Sequence, residues 1–101
     1  MNFDVEKYNE DIIRETRNLV KFKSVKEPGS KGAPFGKGIR KSLDYTLDLC
    51  DKLGFKTKNL DGYIGYAEYG EGEDIVAILV HLDVVPVGGG WTKDPYGGEI
   101  I

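Results

Sequence analysis

The chemistry in this chain gathers at one place. His81-Leu82-Asp83 is followed by Val84-Val85-Pro86, then Val87-Gly88-Gly89-Gly90-Trp91. His81 is the only histidine in the chain. It follows the aliphatic run Ile75-Val76-Ala77-Ile78-Leu79-Val80, which reads as a strand with no polar face, covered on both sides in the middle of an α/β sheet. Ligands of open α/β sheets bind at the carboxyl ends of the strands. In extended chain, side chains two apart point to the same side. A neutral imidazole binds a metal through one nitrogen and donates its other N–H to a carboxylate, which fixes the tautomer and raises ligand basicity. His81 with Asp83 therefore makes a physically sensible half of a metal site. By itself the pattern also suits a hydrogen-bonded structural histidine, with Asp83 as the N-cap of a short turn.

Several other chemistries are excluded by count. The chain has 101 residues, 14 Lys+Arg, 17 Asp+Glu and one Cys, for a formal charge of −3. One domain is the most this length holds. A single Cys forbids an internal disulfide framework and a Cys-rich zinc ribbon. One His forbids a site built from several imidazoles. A pI near 5.1 argues against a nucleic-acid partner held by phosphate neutralisation. The start is charged and polar, without a targeting pattern. The longest aliphatic run is six residues, far short of the roughly 20 needed to span a membrane. These features predict a cytoplasmic protein with a reduced thiol at Cys50. Residues 1–50 carry net +2 and residues 51–101 net −5. The acidic half suits a cation, or simply a solvated surface.

The elements that must position His81 are legible from periodicity. Val5, Tyr8, Ile12, Leu19 and Val20 predict an amphipathic helix over 4–23, with Asp4 as N-cap. Residues 24–36 hold two Pro and three Gly and predict a long loop, of the kind that is functional or mobile. Lys21, Lys23, Lys26, Lys31, Lys37, Arg40 and Lys41 surround it, to meet a substrate carboxylate or to form a solvated surface. Ile39, Leu43, Leu47, Cys50 and Leu53 predict a second helix over 37–53, closed by Gly54 as its left-handed cap. Cys50 falls on the buried stripe, as a small core residue and not a nucleophile. Asp44, Asp48 and Asp51 share the opposite face, either as a cation site or as a solvated face with Asp48 reaching Lys52. Phe55–Leu60, Asp61-Gly62 and Tyr63–Tyr69 predict a hairpin on a type I′ turn. Gly70–Asp74 is a second turn.

The extended string resembles a known family. His81-Leu82-Asp83-Val84-Val85-Pro86 matches the His-x-Asp-Val-Val-Pro motif of the M20 family of zinc metallopeptidases. Gly90-Trp91 and Asp94-Pro95-Tyr96-Gly97-Gly98-Glu99-Ile100 resemble its continuation, with Tyr96 for the commoner Phe. Gly32-Ala33-Pro34-Phe35-Gly36, Leu43-Asp44-Tyr45, Leu53-Gly54-Phe55 and Tyr66-Ala67-Glu68-Tyr69-Gly70 look like the PepV-like, Xaa-His dipeptidase branch.

The resemblance implies an α/β, layered zinc-exopeptidase-like catalytic domain with two zinc ions in the complete site. His81 would ligate one zinc, and Asp83 would be the catalytic Asp that orients it. A metal-bridging water, activated by a Glu base, would attack the carbonyl of a dipeptide with a free amino terminus. The family's other ligands, base and lid domain lie further downstream than this chain reaches, and Glu99 does not match the base. The expectation is therefore the N-terminal part of a catalytic domain. It is inactive by itself, has no nucleic-acid or membrane partner, and is able to self-associate through an open sheet edge. Ile100-Ile101 ends in mid-pattern, as if a strand were beginning. The alternatives are an N-acyl amino acid amidohydrolase of the same family and a non-catalytic stand-alone module.

Overall fold

A computed structural model describes residues 4–101. The polar start at residues 1–3 lies outside them. The architecture is a small α/β arrangement of two helices and a two-stranded antiparallel sheet. Among the described residues no helix is long and apolar enough to cross a membrane.

The first helical segment is shorter and less regular than its periodicity predicts. Asp4 accepts a hydrogen bond from the Glu6 N–H at 3.0 Å and opens a 3-10 turn, Val5–Tyr8. The α-helix α1 then runs Asn9–Val20. Tight turns of this type are common at helix ends. The chain leaves helical geometry after Val20, so that Lys23–Val25 can lie extended beside Val84. The apolar stripe of α1 is poorly covered, with Ile12, Ile13 and Val20 exposed.

The second helix, α2, spans Lys37–Lys52, one residue shorter than expected. Its end is a Schellman cap: Phe55 N–H donates to Cys50 C=O and Gly54 N–H to Asp51 C=O, each at 3.0 Å, with Gly54 at φ 94°. Paired main-chain bonds of this kind satisfy carbonyls left open at a helix end. Leu43 is buried, and Leu47 and Cys50 are half-buried. Burial, then the neighbouring Asp51 charge, pushes the Cys50 thiol pKa up, as befits a packing residue. The acidic face does not pair as expected. No Asp48–Lys52 ion pair forms. Arg40 instead binds Asp44 at 2.9 Å, and Asp51 accepts from Thr57 Oγ1 at 2.6 Å. Asp44 finds its partner one turn back and Asp51 in the following strand.

The two helices are joined by side chains. Tyr45 on α2 donates to Glu15 on α1 at 2.8 Å, and Asn18 donates to the same phenol oxygen at 3.0 Å. The Glu15 carboxylate holds the Tyr45 pKa above the ordinary tyrosine value. Phe22 packs on Tyr45 with ring centroids 5.5 Å apart.

The hairpin consists of β1 (Lys56–Leu60) and β2 (Ile64–Glu68). Asp61 and Gly62 both have positive φ, 56° and 78°, and Tyr63 N–H donates to Leu60 C=O, as in a type I′ turn. The register differs by one residue from a two-residue loop. Leu60 pairs with Ile64, and Tyr63 is set outside the ladder. Tyr63 packs edge-on against Phe35 of the long loop, with ring centroids 5.4 Å apart. Gly65 faces α2 closely: a Cβ there would lie 2.9 Å from Leu43 Cδ1.

The long loop is tied down. Ser30 and Ala33 exchange two main-chain hydrogen bonds, Glu27 N–H donates to Phe35 C=O, and Arg40 Nη1 binds Gly32 C=O.

One expectation is overturned. Ile75–Val80 forms no strand and is not buried: Val76 is 95% exposed and Leu79 91%. A buried central strand needs a ladder on either side and a layer on each face. The described residues supply neither, because β1 and β2 pair only with each other. Nor does Ile100-Ile101 begin a strand.

Candidate functional site

His81 and Asp83 meet, though the nearest acceptor is not the carboxylate. His81 Nδ1 lies 3.0 Å from the Asp83 main-chain oxygen and 3.4 Å from its Oδ1. A carbonyl oxygen can only accept, so Nδ1 carries the proton. The lone pair of the neutral ring then resides on Nε2, the nitrogen a metal would take. Both side chains open to solvent, His81 at 81% and Asp83 at 59%. Among the described residues no group of three or more His, Cys, Asp or Glu is placed to hold a metal ion. The pair thus presents one exposed imidazole whose Nδ1 faces the Asp83 carbonyl.

The segment carrying the pair is held from across the fold. Ser24, just past α1, is 2% exposed. Its Oγ donates to Leu82 C=O at 2.9 Å, and its own C=O accepts from Val84 N–H at 3.0 Å. Val25 and Val84 form a parallel bridge. Nothing in the local sequence marks Ser24, because its partner is 58 residues away.

The chain beyond the pair is held in two places. Trp91 Nε1 donates to Val87 C=O at 2.8 Å, closing the glycine-rich loop, where Gly88 and Gly90 have positive φ. Arg17 of α1 donates to Gly98 C=O at 2.5 Å, and Lys23 lies over the Tyr96 ring at 5.6 Å. Lys23 and Arg40 of the basic loop therefore have partners within the chain.

No protein-family model matches the chain. Comparison with known proteins does give relatives. The chain is 48% identical over 104 residues to "Putative dipeptidase YtjP" of Bacillus subtilis (strain 168), a match covering 99% of this chain and 22% of that protein. It is 39% identical over 94 residues to a "Putative dipeptidase" of Staphylococcus aureus (strain USA300), covering 91% of this chain and 20% of that protein. The same figures hold for the corresponding protein of strain COL. Each relative is named a dipeptidase. The chain spans about a fifth of their length.

Proposed function

We propose that this chain is the N-terminal portion of the catalytic domain of a cytoplasmic, zinc-dependent dipeptidase of the M20 type, with the family's layered α/β fold. The observation that carries the reading is the match over 99% of the chain to a protein named a dipeptidase. The geometry of His81 supports the metal role. Its Nδ1–H is occupied by the Asp83 carbonyl, which leaves Nε2 to ligate.

Zinc, when bound, polarises a carbonyl and makes hydroxide available near neutral pH. His81 contributes one ligand nitrogen, and Asp83 orients the ring and adds negative charge beside it. The substrate is a dipeptide with a free amino terminus. One imidazole and one carboxylate do not make a two-metal site, so these 101 residues bind metal without turning over substrate. The exposed run Ile75–Val80 is the surface on which copies of this chain associate.

Zinc titration of the chain by calorimetry tests the reading. The expected result is weak zinc binding at one site that disappears in His81→Ala, since one imidazole and one carboxylate supply fewer ligands than a closed zinc site takes. In Asp83→Ala the affinity should fall about 10–100-fold, the usual effect of losing the group that orients a ligand histidine. Binding that persists unchanged in His81→Ala removes His81 as the ligand and the reading with it.

A further inference from the structure

We propose that Ser24 is a positioning residue for the His81 imidazole. The inference deepens the metal reading and rests on it for its purpose, though not for its geometry.

Ser24 grips the main chain on both sides of Asp83. Its hydroxyl holds the carbonyl of Leu82, the residue before Asp83, and its carbonyl holds the N–H of Val84, the residue after. With both flanking peptide groups fixed, the Asp83 carbonyl has one direction. That carbonyl is the acceptor for His81 Nδ1. The direction of one C=O therefore selects the ring tautomer and turns Nε2 outward.

Ser24 is itself backed by α2. A Cβ on Gly38, in the first turn of α2, would collide with the Lys23 carbonyl oxygen, so helix and chain are in direct main-chain contact there. The line of support runs from Gly38 through Lys23–Ser24 to Leu82–Val84, and from the Asp83 carbonyl to the imidazole. The hydroxyl is the one side-chain link in this line. A serine nearly wholly buried, with its donor spent on a carbonyl next to an exposed histidine, has a purpose beyond filling space. A buried apolar side chain would fill the same volume without leaving a polar group to satisfy.

The test compares wild type with Ser24→Ala and Ser24→Thr by NMR and zinc titration. The exchange rate of the Val84 amide reports the grip. The 15N shifts of the His81 ring, read at a pH where the imidazole is neutral, report the tautomer. In Ser24→Ala, the Val84 amide should exchange about tenfold faster or more, and the His81 ring should show a mixture of tautomers. Zinc affinity should fall by about tenfold or more, while the amides of α2 and the hairpin stay as protected as in wild type. Ser24→Thr, which keeps the hydroxyl, should restore the single tautomer.

Wild-type exchange and a single tautomer in Ser24→Ala overturn the proposal. So does loss of protection spread evenly over α2 and the hairpin, which would make Ser24 a general packing residue. If the wild type shows no zinc binding that depends on His81, the metal reading fails, and the exchange and tautomer data still decide the role of Ser24.

Discussion

At the residue scale, the pair proposed for the metal role was visible in the string His81-Leu82-Asp83, and the contact Asp83 makes was only half visible. Side-chain alternation places an imidazole and a carboxylate on one side of an extended chain. It does not reveal that the main-chain oxygen of Asp83 lies closer to Nδ1 than the carboxylate does. That detail depends on the path of the chain past Leu82, where Ser24, far away in sequence, bonds the peptide groups on either side of Asp83. Cys50 was legible in part: helical spacing put it on the inner stripe of α2, where it is half-buried. Its pKa is raised by burial first and by Asp51 second, so less thiolate exists at neutral pH than for a free cysteine. Alkylation of Cys50 should be slower than that of a cysteine peptide, with its rate–pH profile displaced to higher pH. Asp51→Asn should move the profile part of the way back. A rate equal to the free peptide's would show that the thiol is neither shielded nor perturbed.

At the element scale, capping and turn chemistry determine the C-terminal end of α2 and the hairpin turn. Two glycines with positive φ separate backbone strain from crowding. Gly54 (φ 94°) has no other group within 4 Å of where a Cβ would sit. Gly54→Ala should cost only the left-handed backbone penalty, about 1–2 kcal/mol. Gly62 (φ 78°) would place its Cβ 2.6 Å from the Gly32 carbonyl oxygen and 3.0 Å from Pro34 Cδ. Gly62→Ala should therefore cost that penalty and about 1–3 kcal/mol more from overpacking. Urea midpoints of the two variants give the comparison, and equal shifts would show that the long loop does not pack on the hairpin turn. The one-residue difference in register belongs to this scale as well. Asp61-Gly62 specifies the turn, and Tyr63, outside the ladder, packs against Phe35. A reading confined to the hairpin could not include that partner.

At the scale of the whole molecule, the chain exposes more surface than its size warrants. Its accessible area is 8640 Å², against about 5,700 Å² for a compact monomer of this length. Its radius of gyration is 15.8 Å, against about 13 Å. The surplus, roughly 3,000 Å², exceeds the about 1,000–2,500 Å² that each partner buries in an obligate interface. Much of it is apolar and contiguous in sequence, since Ile75, Val76, Ile78, Leu79 and Val80 are all exposed. An apolar run with free main-chain donors and acceptors pairs with further chain. The isolated chain should sediment with an apparent mass that rises with concentration. Replacing Val76 and Ile78 together by Lys should bring it back toward the monomer mass. A wild-type chain that stays monomeric over the micromolar range and up would show that this run is not an association surface.

Sequence alone determined the helices, the hairpin turn, the place of Cys50 on the inner stripe of α2 and the closeness of His81 to Asp83. Each follows from interactions between residues close in the chain: helical period, caps, a two-residue turn, side-chain alternation. Tertiary structure decided the rest. It ended α1 early so that Ser24 could reach Leu82 and Val84, shifted the hairpin by one residue, and chose a main-chain carbonyl as the partner of His81. It also left Ile75–Val80 uncovered, where an unbroken apolar run had predicted the centre of a sheet. Hydrophobicity states that a segment gains by being covered. Whether it is covered depends on which other residues are there to lie against it.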